Sequence, residues 1–273
     1  MPIPLAAMAA RTKRTRKREI TFRPITAPGT FASDLYAEAY APVVKAWEAA
    51  AERIVGQYER SLATMDAMTV DSPAEVGAVL SATEDAVTRI LISTRQRLEA
   101  WALRTERYQR GRWVANVKAA TGVDISTMIG PKGAQTTVGA AIESNVGLVQ
   151  SVSEQTRTRI GEAVFRGLNK RAPAADVAKE IREATGMARR RALNGAADQT
   201  VKSTAQLNQE RRREAGIDTW EWVSSHKLHF RPEHAARDGK RYSDDDPPED
   251  TPGELPFCGC GERAVLSLDP DGF

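Results

Sequence analysis

Apolar residues return at three- and four-residue steps through Tyr40, Val43, Val44, Trp47, Ala51, Ile54, Tyr58, Leu62 and Met65, which places them on one stripe of a helix beginning near Ser33. A second stripe runs Val76, Leu80, Thr83, Val87, Ile90, Thr94, Leu98, Trp101, Thr105 and Tyr108, with Arg, Glu and Gln between. Ser72-Pro73-Ala74-Glu75 marks its start: a serine that can cap, a proline where the missing N–H costs nothing, and a glutamate at the capping-box position. Two such helices joined by a short turn predict an antiparallel hairpin in which each hides the other's stripe. Trp47 and Trp101 are in phase and belong to the core. Trp113, beside Gly111, lies outside the period, so the helix is expected to end or bend there and the indole to be a contact residue.

Shorter helices follow, with Ile160, Val164 and Leu168, then Val177 and Ile181, then Leu193, Ala197, Val201 and Ala205 on their apolar sides. Gly167, Pro173, Gly186 and Gly216 bound them. Trp220, Trp222 and Val223 read as a strand, and Ala264-Val265-Leu266 as a second after a loop rich in Pro, Asp and Gly. The fold class expected is mainly α: a long antiparallel helical hairpin followed by a helical region and a small loop-rich α+β C-terminal knob. Four segments result. Residues 1–32 form a flexible basic N-terminal arm, because their prolines and charges leave too little apolar area to offset chain entropy. Residues 33–120 form the hairpin, 121–150 a Gly-rich hinge or linker, and 151–273 the C-terminal domain.

Charge changes the picture only locally. The 273 residues carry 39 Lys and Arg against 36 Asp and Glu, a net +3, which excludes a histone-like polycation. The positive charge concentrates in Arg11, Lys13, Arg14, Arg16, Lys17 and Arg18, a block suited to DNA phosphates or an acidic protein surface. No aromatic interrupts the block, so base stacking is not expected. No run of about 18 apolar residues occurs, so no membrane partner is expected. The basic block follows the apolar N-terminus instead of preceding it, the reverse of an export signal. The two cysteines flank one glycine and cannot staple distant segments, which fits a reducing compartment.

All three histidines and both cysteines lie between residues 226 and 260. Two thiolates and two imidazoles would satisfy zinc's four tetrahedral positions in a segment otherwise too loop-rich to hold itself. The candidate ligands are Cys258, Cys260, His234 and either His229 or His226, with His229 the preferred fourth. Asp244, Asp245, Asp246, Glu249 and Asp250 lack the spacing of a calcium loop and are expected to be solvated. No HExxH stands in the sequence.

Trp220-Glu221-Trp222-Val223-Ser224-Ser225, then Arg231-Pro232-Glu233-His234-Ala235-Ala236-Arg237-Asp238-Gly239-Lys240, then Pro252-Gly253-Glu254-Leu255-Pro256-Phe257-Cys258-Gly259-Cys260 resemble the phage head morphogenesis family, the Mu protein F-like minor head proteins. The likeness extends over roughly residues 150–266, which makes 151–273 a Mu F-like domain. Two positions depart from the family pattern: Lys227-Leu228-His229 stands where members carry Asp-x-Arg, and Gly259 where many carry Arg. Some relatives replace the Arg and His pair by cysteines, which implies that Arg231 and His234 face Cys258 and Cys260. The resemblance implies a structural minor capsid protein acting in procapsid assembly, with no catalytic residue. Its partners would be the portal protein, the major capsid protein or the scaffold, and its place the head interior or portal region after assembly in the host cytoplasm. Two other readings are an internal protein packaged or ejected with the DNA, and a metal-dependent hydrolase or nuclease using His234.

Overall fold

Helices account for most of the chain, and their apolar faces explain how they associate. The computed structural model describes residues 3–12, 18–67, 72–226 and 231–268. Its helices are α1 (Leu5–Thr12), α2 (Gly29–Leu35), α3 (Ala41–Ala67), α4 (Ser72–Thr121), α5 (Gln135–Lys170), α6 (Ala174–Glu214) and α7 (Pro232–Ala236). Its strands are β1 (Glu19–Thr21), β2 (Trp220–Val223), β3 (Arg241–Tyr242) and β4 (Gly261–Ser267). The fold is mainly α with a small antiparallel sheet near its C-terminal end. Contacts divide it into two units, Met1–Phe31 with Trp101–Ala141 and Ala197–Phe273, and Ala32–Ala100 with Ile142–Ala196.

The second unit is an up-down-up-down bundle built from α3 and segments of α4, α5 and α6. Gln57 Nε2 donates to Glu75 Oε2 at 2.6 Å and Arg97 to the Glu38 carbonyl, which sets α3 and α4 antiparallel. Glu84 pairs with Arg157 and Arg95 with Glu143, which runs α5 against α4, and Arg166 pairs with Glu180 to run α6 against α5. The apolar stripe of α3 is therefore shared. Trp47 Nε1 donates to Ser153 Oγ at 2.9 Å and Tyr40 Oη to Asn145 Oδ1 at 3.0 Å, so the two buried aromatics lie against α5. A π-helical turn, Tyr36–Tyr40, joins α2 to α3. It lies just before Pro42, which has no N–H to donate and whose ring crowds the preceding turn.

The first unit carries a sheet in the order β1-β4-β2-β3, with Ile20 opposite Leu266 and Trp220 opposite Ala264 and Tyr242. Its larger core gathers Leu5, Ala9, Phe22, Trp113, Val117, Ile125, Ile129, Ile217 and Leu266. Here the expectation of a flexible arm is corrected for its described residues, 3–12 and 18–32. Leu5 and Ala9, one helical turn apart, are buried, Ile3 N–H donates to the Glu214 carbonyl, and Glu19–Thr21 pairs with β4. A few apolar side chains suffice because a ready-made core covers them. Trp113 is corrected too: it is 3 % exposed, its ring centroid lies 5.7 Å from that of Phe22, and α4 continues past it to Thr121. The stretch expected as a hinge holds Gly122, whose φ of +80° terminates α4, and then the buried Val123, Ile125 and Ile129. From Gln135 onward it is α5, so Gly139 and Gly147 are helical.

Candidate metal centre

Strand β2 starts the site. Trp222 N–H donates to the Lys240 carbonyl, and the Gly239 N–H, in a turn with φ of +73°, donates to the Trp222 carbonyl. This loop holds α7, which starts at Pro232, the first helical position where a missing N–H costs nothing, and carries His234 in its only full turn. The imidazole packs edge-on against Trp222, with centroids 5.0 Å apart at 73°. Arg237 lies over the same indole, its guanidinium carbon 5.2 Å from the centroid.

Two loop residues bring the sulfurs to His234. Gly253 has φ +79°, and a Cβ there would stand 2.7 Å from the Ala205 Cβ, so glycine lets the loop lie against α6. Phe257 is left-handed at φ 60°, and its N–H donates to Asp198 Oδ1 at 2.5 Å. Cys258 and Cys260 then turn inward as free thiols. His234 Nδ1 lies 3.4 Å from Cys258 Sγ and 3.7 Å from Cys260 Sγ. All three side chains are buried. On the far side of the ring, His234 Nε2 lies 2.9 Å from Asp250 Oδ2, while Arg237 Nη1 donates to Asp250 Oδ1 at 2.5 Å.

The two thiols are electrostatically unlike. A hydrogen bond from Cys260 pulls the Cys258 thiol below its ordinary value against the cost of burial, helped by the N–H groups of Cys260 and Gly253. The same hydrogen bond, with burial, pushes Cys260 up. Opposing this, the Ser225 N–H and the Trp222 indole favour a Cys260 thiolate.

The structure brings together three of the expected ligands, His234, Cys258 and Cys260. His229, the preferred fourth, lies outside the described residues, as do Lys13, Arg14, Arg16 and Lys17 of the basic block. Arg11 and Arg18 stand exposed. His226, the other alternative, is apart from the cluster, exposed and with Nε2 3.6 Å from Asp238 Oδ2. Arg231 turns to the Pro256 carbonyl at 3.0 Å, so of the implied pair only His234 meets the sulfurs.

Sequence reasoning missed a set of engaged polar groups in the same unit. Asp250 and Asp244, expected as solvated, are engaged, whereas Asp245, Asp246 and Glu249 are exposed. Arg212, 1 % exposed at the end of α6, donates to Glu262 Oε1 at 3.1 Å, Asp244 Oδ1 at 2.6 Å and the carbonyls of Ile217 and Asp218 at 2.8 Å. Arg211 is fully buried between Glu106 and Glu214. A run of three arginines reads as a solvated helix end, and only the acidic partners elsewhere in the chain reveal otherwise.

Among known proteins, residues 155–262 match the family model described as Phage Mu protein F like protein. An uncharacterized protein of Haemophilus influenzae is 30% identical over 154 residues, which are 55% of this chain and 34% of that protein. The chain thus spans about a third of the length of this curated relative. No solved structure gives a significant match. The matched segment contains β2, α7, His234 and both sulfurs, and over it the chain is similar to the Phage Mu protein F-like family.

Proposed function

We propose that this chain is a structural head-morphogenesis protein of a tailed bacteriophage, bound to the portal or to the inner capsid during procapsid assembly. The observation that carries this reading is the family match over residues 155–262, which covers the second half of α5, all of α6 and the loop-rich knob as far as the start of β4. The physical features agree with a binding and bridging role. Ion pairs link neighbouring helices of the bundle, and some of the knob's charged side chains are spent on internal pairs such as Arg212–Glu262 and Arg263–Glu221. A buried centre in which His234 and both sulfurs face one another suits holding a loop.

The test is genetic. A phage or prophage whose copy of this gene carries an early stop codon is induced, and its particles are counted and imaged. Failure to form filled heads, restored by supplying the protein in trans, is the expected result. Normal numbers of normally filled heads would overturn the proposal.

A further inference from the structure

We propose that Cys258 Sγ, Cys260 Sγ and His234 Nδ1 are the protein ligands of a Zn²⁺ ion that holds the knob's loop in its folded form. Spacing is the first argument. With Zn–S of about 2.3 Å and Zn–N of about 2.0–2.1 Å at tetrahedral angles, a sulfur and a nitrogen on one ion stand about 3.6 Å apart. The observed separations, 3.4 and 3.7 Å, bracket that value. Convergence points the same way: both sulfurs stand within 3.7 Å of one ring nitrogen in a buried place. A cation shared by all three accounts for the convergence.

The surroundings favour the same ion. Asp250 places a carboxylate oxygen 2.9 Å from Nε2, where its negative charge favours a proton on that nitrogen and leaves Nδ1 to coordinate, and Arg237 steadies that carboxylate. Two thiolates would neutralise the divalent charge in a buried place, and two sulfurs with an imidazole select zinc over calcium or magnesium. Need is the last argument. The knob's own apolar cluster is Trp220, Trp222, Cys258 and Cys260, with Tyr242 and Leu255 at its edge, so the cysteines are half of its buried members. Such a core is small for the loop it anchors, and a metal crosslink supplies what packing does not.

The experiment uses the full chain purified under reducing conditions. Zinc is expected to copurify at about one equivalent, with X-ray absorption showing two sulfur neighbours and lighter atoms completing the shell. Chelation should lower the melting temperature and added zinc restore it. Cd²⁺ added to the stripped protein should give a sulfur-to-metal charge-transfer band in the ultraviolet, absent from a Cys258→Ser, Cys260→Ser variant. Asp250→Asn keeps all three ligands and should weaken zinc binding about 10- to 100-fold, which separates a binding defect from failure to fold. Metal-free protein whose melting ignores both chelator and zinc would overturn the proposal. So would a Cys258–Cys260 disulfide in the reduced preparation. Neither result would touch the assembly role, which is tested on particles.

Discussion

Arg212→Met tests the buried ion-pair cluster at the end of α6. Methionine keeps an unbranched stem but removes the charge that meets Glu262 and Asp244 and the donors that cap the carbonyls of Ile217 and Asp218. Glu262 has a side chain 3 % exposed, so it would be left as a buried, unpaired carboxylate. Removing one member of such a pair costs about 3–5 kcal/mol. The cost should depend on pH. Burial already raises the Glu262 pKa, and the charge and hydrogen bond of Arg212 are the main forces holding it down. Without Arg212 it rises further. A carboxyl whose folded pKa is raised contributes its full stability below the unfolded value of about 4.3 and loses it as pH climbs, at up to about 1.4 kcal/mol per unit. The gap between native and variant should therefore be smallest near pH 4.5 and widen toward pH 7. Urea unfolding at several pH values measures it, and adding Glu262→Gln should flatten the pH dependence. A gap below about 1 kcal/mol at pH 7, or one independent of pH, would refute the reasoning.

Three further outcomes are expected. Trp113→Ala should cost about 3–5 kcal/mol in chemical denaturation, whereas a surface contact residue would change stability by less than about 0.5 kcal/mol. Tyr58→Phe removes the hydroxyl that donates to the Ala172 carbonyl at 2.5 Å, and should lower stability by about 1 kcal/mol with no change in helix content by circular dichroism. Burial alone would raise Asp244, but Arg212 and Arg213 pull it below the ordinary carboxylate value. Its stabilisation is thus present above about pH 3.9 and lost as pH falls through the depressed value, so Asp244→Asn should reduce the acid sensitivity of the denaturation midpoint between pH 4 and 2.

The long stripes were legible because α3 and the first half of α4 keep period over many turns, and Tyr40, Trp47, Tyr58 and Trp101 are all buried as their phase requires. Closure of the bundle by α5 and α6 was harder to see. Their buried positions include Asn145, Ser153, Thr156 and several alanines, which carry little hydropathy signal although they fit between close helices. The N-terminal helix was hidden for a different reason: Leu5 and Ala9 are buried in a cluster built largely from residues more than a hundred positions away, such as Val117 and Ile217. At the candidate centre, the clustering of His and Cys between residues 226 and 260 pointed to His234, Cys258 and Cys260. Asp250 was lost among acidic and proline neighbours, since nothing local distinguishes the one carboxylate that turns inward.

Quantitative mass spectrometry of purified heads tests the central claim most directly. A structural head component should be present at a fixed number of copies per portal ring, in empty and DNA-filled particles alike. Heads that lack the protein while it accumulates free in the same lysate would contradict the account.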